Sequence, residues 1–233
     1  MSKKRVKIEE QEQEQEQEEP KKNYIQEICA VIDRSGSMAG KELDTIGGIN
    51  ETFRVLRETR QPNEEIKMSV KLFDHEQILL FRNLDLDEVR DLTRSNFHPR
   101  GQTALLDAIG DTLTYFMEKK LMDPGAYDSC VIYITTDGQE NASRRYNNEK
   151  IKKMIHAAEE TYNIRLVYLG ANQDAILEAS KFGIDCARAM NYNETSENSQ
   201  SAYRSAASAA VRTRSAGVTE FTLSERQASI KPV

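Results

Sequence analysis

Cys29-Ala-Val-Ile-Asp-Arg-Ser-Gly-Ser-Met38 is the stretch on which the reading of this chain turns. An apolar run ends on a carboxylate, Asp33, and hydroxyls follow at Ser35 and Ser37. Gly36 between them lets the backbone turn tightly. Three hard oxygen donors at alternate positions can then face one point, and carboxylate and hydroxyl oxygens suit Mg²⁺ or Mn²⁺ rather than Zn²⁺.

Outward from this stretch, strand and helix patterns alternate. Residues 24–33 predict a buried strand through Ile25, Ile28, Val31 and Ile32. Residues 41–58 predict a helix, with Leu43, Ile46, Ile49, Phe53 and Leu56 recurring at spacings of three and four. Gln61-Pro62-Asn63 breaks it. Residues 67–73 and 77–81 read as an antiparallel hairpin around Asp74-His75-Glu76. A short helical piece is expected around 87–92 and a longer helix over 104–120, carried by Leu105, Leu106, Ile109, Leu113 and Phe116. Further strands are expected at 129–136, 165–170 and 184–190, with helices at 149–161, 175–182 and 196–213, the last rich in alanine. Beyond Ser215 the sequence shows no pattern. Such alternation calls for a mostly parallel sheet covered on both faces. In such sheets ligands bind beyond the carboxyl ends of the strands, where strand order reverses.

Two later fragments supply donors that the first loop lacks. Gly101-Gln102-Thr103 offers a hydroxyl, and Tyr133-Ile-Thr-Thr-Asp-Gly138 offers a second carboxylate at Asp137, just past an apolar run. Each of the five donors has an ordinary explanation. Asp33, Ser35 and Ser37 are common turn residues, and Thr103 is a good helix N-cap. Asp137-Gly138 resembles a hairpin turn, but residues 139–148 are polar and supply no partner strand. Turn and cap roles do not explain why all five fall at a strand's carboxyl end or a helix entry. A shared metal site does.

The three fragments, in this order, resemble the metal-ion-dependent adhesion site of the von Willebrand factor A (VWA) domain family: Asp-x-Ser-x-Ser, a distant Thr, then a distant Asp. The matching residues are Asp33, Ser35, Ser37, Thr103 and Asp137. Asp33-Arg-Ser-Gly-Ser-Met38, Arg100-Gly-Gln-Thr-Ala-Leu-Leu-Asp-Ala-Ile109 and Thr135-Thr-Asp-Gly-Gln-Glu-Asn141 match the intracellular and microbial branch. The resemblance implies a three-layer αβα, doubly wound, mostly parallel sheet of about six strands with one antiparallel edge strand. It places the first strand centrally, beside the strand that contains Val131. It implies a bound Mg²⁺ (or Mn²⁺), partly held through water by the two Asp residues and completed by an Asp or Glu carboxylate of a protein partner. It also implies that the last helix, 196–213, shifts as the metal coordination changes.

The domain is expected over 23–213. A low-complexity Glu/Gln leader over 1–22, expected to be disordered, precedes it, and a polar C-terminal tail over 214–233 follows. The net charge of −6, with no basic stripe, argues against nucleic acid. No run of about 18 apolar residues predicts a membrane span. The start lacks the apolar region of a secretory signal, and three widely spaced cysteines do not make a disulfide framework. A cytoplasmic protein with reduced thiols is the expectation, although Cys29 and Cys130 would be within reach of each other if their strands are neighbours. His75, His98 and His156 have no partner at metal-ligand spacing. Asp107, four residues after Thr103, is read equally as a hydrogen-bond support of the site or as a helix-start charge, and Glu140 and Asn141 as bordering the crevice.

A non-enzymatic binding module is the expected function. The competing enzyme reading is a Mg²⁺-dependent phosphohydrolase with Asp33 as nucleophile. Against it, Ser35 stands where aspartate-phosphorylating motifs carry a second Asp, and no Walker-type glycine loop is present. A third reading is a scaffold that acts through its tails.

Overall fold

The computed structural model describes residues 23–171 and 174–232. The leader expected over 1–22 lies outside the described residues. Six strands form one sheet: β1 (Tyr24–Asp33), β2 (Glu64–Phe73), β3 (Gln77–Asp85), β4 (Ser129–Thr136), β5 (Ile164–Ala171) and β6 (Ala189–Tyr192). Their order is β3-β2-β1-β4-β5-β6, and every pairing is parallel except β2 with β3. Strand order reverses at β1, between β2 and β4, so both crevice-facing loops of the sequence reading leave neighbouring strands.

Helices cover both faces. α1 (Glu42–Thr59) and α5 (Ser196–Ala216) cover one, and α2 (Leu105–Met122), α3 (Asn148–Thr161) and α4 (Ala175–Phe182) cover the other. This is the three-layer αβα architecture, with the antiparallel strand at one edge. The central strands β1 and β4 are mostly apolar on both sides because both of their sides are buried. All eight residues of β4 are buried. α1 and α5 approach closely enough that a Cβ on Gly48 would lie 2.1 Å from the Tyr203 ring. The buried alanines of α5 (Ala202, Ala206, Ala209, Ala210) permit that approach by leaving no bulk between the helices.

Three expectations need correction. Residues 87–92 are not helical. Leu86, Val89 and Leu92 are buried at three-residue spacing, which imitates a helix, but their backbone groups are captured by side chains of α1. Asn50 takes the Leu92 N–H at 2.8 Å and donates to the Leu92 carbonyl at 3.0 Å, and Arg57 donates to the carbonyls of Leu86 and Val89. The weak strand expected over 184–190 starts later, at Ala189, because Asp185 caps a single tight turn at Cys186–Arg188.

The segment read as a patternless polar tail is also structured. α5 runs on to Ala216, and α6 (Leu223–Ala228) follows behind a Thr222/Glu225 capping box. It docks beside β6 through polar contacts: Arg226 to the carbonyls of Cys186 and Ala187, and Ser229 to the carbonyl of Asn191 at 2.7 Å. Apart from buried Phe221 and the Arg212–Glu225 ion pair at 2.9 Å, this docking uses backbone acceptors, and those leave no hydrophobic period to read.

Cys29 and Cys130 are buried free thiols on neighbouring strands. They are not opposite one another, since Cys29 pairs with Ile132 and Cys130 with Glu27. Among the described residues, no helix is long and apolar enough to cross a membrane.

Candidate metal centre

Asp33 is the last residue of β1, and Ser35 and Ser37 lie in the tight turn that leads to α1. Asp137 directly follows β4, and Thr103 sits in the loop before α2. β1 and β4 run parallel side by side, with Ile32 opposite Thr135, so both carboxylates emerge at the same sheet edge. The structure brings all five predicted residues together. Ser37 Oγ donates to Asp137 Oδ1 at 2.6 Å, and the Ser35 and Ser37 hydroxyls lie 3.1 Å apart. A Cβ built on Gly138 would lie 3.4 Å from both Ser37 Oγ and Thr103 Oγ1 and 4.0 Å from Asp33 Oδ2. That one point is therefore ringed by three of the five side chains. Asp33, Ser35 and Thr103 are buried, whereas Ser37 is exposed.

The ordinary roles weighed for these residues divide. Asp33 does hold its own turn, accepting the Ser35 N–H at 2.7 Å. Thr103 is not the helix cap, since α2 begins behind Ala104 without a side-chain cap bond. Glu140 performs that task instead, taking the Leu106 N–H at 2.9 Å and the N–H groups of Ala142 and Ser143. Asn141 fixes Thr103 itself, accepting its N–H at 2.9 Å and donating its own N–H to the Thr103 carbonyl. Asp107 accepts the N–H groups of Arg144, Arg145 and Tyr146. These three side chains, read as borders of the crevice or as a helix-start charge, build the loop that presents Thr103.

The first loop is braced from β2. Asp74 Oδ2 lies 3.0 Å from the Arg34 guanidinium and 3.1 Å from that of Arg100. Gly101, with φ of +70°, passes so close to the His75 ring that a Cβ there would meet Nδ1 at 2.2 Å. Asp74, His75 and Glu76 do stand within reach of one another as a possible ligand cluster. Two guanidinium groups already neutralise Asp74, so a cation there would meet positive charge.

No family model matches the sequence, and no curated protein matches it either. Solved structures do match. The von Willebrand factor type A protein from Catenulispora acidiphila superposes with a TM-score of 0.56 at 14% identity, over 81% of this chain and 43% of that one. Proximal thread matrix protein 1 from the mussel byssus gives 0.54 at 14% identity, over 81% and 47%. The ArnB paralog VWA2 from Sulfolobus acidocaldarius gives 0.52 at 15% identity, over 79% and 45%. The fold is that of a von Willebrand factor A domain. The chain aligns with less than half the length of each of these structures.

Within this VWA fold the electrostatics of the crevice are lopsided. Asp33 is wholly buried, and burial pushes its carboxyl up from 3.8 to about 6, although the Thr136 and Ser35 hydrogen bonds pull the other way. Among the described residues it has no ion-paired cation. Asp137 does: the Lys41 ammonium contacts both its Oδ2 and Glu194. The donor set of two carboxylates and three hydroxyls fits a hard divalent cation. A buried carboxylate without counter-charge is the group that such a cation would neutralise.

Sequence reasoning missed Thr136 and Lys41. Thr136 Oγ1 donates to Asp33 Oδ2 at 2.6 Å, and its signal was a hydroxyl on the last residue of β4, directly before Asp137. Lys41 occupies the N-cap of α1 without making a cap bond. A cation is the wrong charge for a helix N-terminus. That misfit was the legible hint that its ammonium serves elsewhere.

Proposed function

We propose that this chain is a divalent-cation-dependent protein-binding module. Asp33, Ser35, Ser37, Thr103 and Asp137 would hold Mg²⁺ or Mn²⁺, and a partner's Asp or Glu carboxylate would complete the site. The observation that carries the reading is the convergence of these oxygens around a buried Asp33 that has no ion-paired cation among the described residues. When bound, the cation supplies a positive, oxygen-seeking point at the domain surface. The three hydroxyls bind without cancelling that charge. The exposed Ser37 marks the open side, and Glu140 and Asn141 hold Thr103 in place.

We read the site as one that binds rather than turns over. Both oxygens of Asp33 accept short hydrogen bonds that fix the loop, which suits a positioned ligand better than a phosphate-accepting nucleophile. Three widely spaced cysteines that do not make a disulfide framework suit a reducing compartment, so we place the protein inside the cell. The switch implied for the last helix has a physical route here, because Lys41 links Asp137 to Glu194 in the loop before α5.

Calorimetric titration of EDTA-stripped protein with Mg²⁺ and Mn²⁺ tests the proposal. Saturable uptake is expected in the wild type and not in Asp137→Ala. Addition of a Glu-containing peptide should then bind only in the presence of metal. Uptake that survives Asp137→Ala unchanged would overturn the assignment.

A further inference from the structure

The face of the β2–β3 hairpin toward α2 carries an unexpected polarity. Along β2, Met68, Val70 and Leu72 enter the core beneath α1, while Ser69 and Lys71 point the other way. α2 covers β1 and β4 but leaves that hairpin face open. A cavity of about 290 Å³ results, walled by Ser69 and Lys71 of β2, Leu79 and Arg82 of β3, and Tyr115 and Phe116 of α2. This volume is at the lower end of ordinary small-molecule sites, which run from about 300 to 1,000 Å³.

Its charges do not balance. Lys71 Nζ donates to a neutral group, Thr112 Oγ1, at 2.8 Å, and no carboxylate pairs with it among the described residues. Arg82 likewise makes no ion pair among the described residues and rests over the Tyr115 ring, its guanidinium carbon 4.9 Å from the centroid. The carboxylate on the cavity wall, Asp111, is already satisfied. Arg145 grips both its oxygens, at 2.7 and 2.6 Å, and the Gln77 amide donates to it at 2.7 Å. Two cations thus face an apolar-floored pocket in a protein whose net charge is −6. Burial also holds the Lys71 ammonium below its ordinary value; Cys29 and the Asp111 carboxylate oppose this in part, and the neighbouring Arg82 adds to it. An anion would relieve both.

We propose that this cavity binds a small organic carboxylate, its oxygens taken by Lys71 and Arg82 and its apolar body seated on Tyr115, Phe116 and Leu79. Two side-chain donors match two oxygens. Among the described residues, no glycine-rich loop or helix N-terminus lines the pocket to receive the third oxygen of a phosphate. The site lies on the α2 side of the hairpin and is independent of the metal centre.

The test is an amide ¹H–¹⁵N titration of the full chain with benzoate, with benzamide as neutral isostere and phenyl phosphate as the competing anion. EDTA is present throughout so that no cation at the metal centre can hold the carboxylate. Benzoate should shift the amides of Ser69, Lys71, Arg82 and Thr112 saturably, and benzamide should not. Lys71→Met should weaken benzoate about tenfold or more, and Arg82→Gln, on the exposed rim, about threefold, as expected for lost charge-assisted hydrogen bonds. Equal shifts from benzamide, unchanged affinity in both variants, tighter binding of phenyl phosphate, or no saturation by about 10 mM benzoate would each overturn the proposal.

Discussion

Replacing Asp33 with Asn should make the metal-free protein more stable, although it removes a residue at the heart of the candidate site. Burial raises the Asp33 carboxyl from 3.8 to about 6. At pH 8 the folded state therefore carries an ionised group at a penalty of about 3 kcal/mol. The amide of Asn fits the same partners. Its oxygen can take the Ser35 N–H, and the Thr136 hydroxyl can turn to accept where it now donates. The sign follows from proton linkage. The folded carboxyl keeps its proton to a higher pH than the unfolded one, so its contribution is fully present below pH 3.8 and is lost as pH rises through about 6.

The gap between Asp33→Asn and wild type should be widest at pH 8 in EDTA and about half as large at pH 5. Urea unfolding at the two pH values reads it directly. A thermal melt at pH 8 should show the variant about 6–12 °C higher, at about 2–4 °C per kcal/mol for a chain of this size. Saturating Mg²⁺ should then close the gap. Wild type gains about 2.7 kcal/mol when free metal stands a hundredfold above Kd, and the variant, lacking the carboxylate charge, gains little. A variant less stable than wild type at pH 8 in EDTA, or a gap that does not change between pH 8 and pH 5, would refute the reasoning.

Lys41→Met removes the ammonium that shares Asp137 with Glu194. Metal affinity should rise about three- to tenfold, because a like charge beside the cation is lost at a partly exposed position, and calorimetric titration measures it. Gly48→Ala places a methyl carbon 2.1 Å from the Tyr203 ring, across the α1–α5 contact. Urea unfolding should show a loss of about 1–3 kcal/mol, the usual range for overpacking a filled core.

Where periodicity and burial coincide, the sequence was legible. β4 and α4 fall on the residues read for them, 129–136 and 175–182, because β4 is apolar on both faces and α4 is closed by Asp174 and Gly183. Asp33 and Asp137 were placed at strand ends by the same patterning, and the adjacency of β1 and β4 brought them together. Legibility stopped where backbone groups are satisfied by side chains distant in sequence. Asn50 and Arg57 convert an apparent helix at 87–92 into a loop, and Arg226 and Ser229 dock a segment in which Val218, Leu223 and Ile230 stay exposed and only Phe221 is buried among the larger apolar side chains of the described residues. Such bonds leave no period in the chain that accepts them.

The same distinction explains why the supporting residues of the candidate site were harder to see than its donors. A donor announces itself by type and local spacing: Asp33, Ser35 and Ser37 lie within five residues. Glu140 reaches 34 residues back to the start of α2, Thr136 reaches 103 residues back to Asp33, and Lys41 reaches 96 residues forward to Asp137. Each acts on a loop it does not belong to. A buried carboxyl keeps its raised value only if such distant groups hold its neighbours still, since a loop free to relax would let water in and return the carboxyl toward its ordinary value. The raised Asp33 carboxyl and the long-range clamps are therefore two aspects of one arrangement. The fold holds a charge in readiness at the reversal point of the sheet, and loosening the Glu140 or Thr136 clamp should cost metal affinity before it costs the fold.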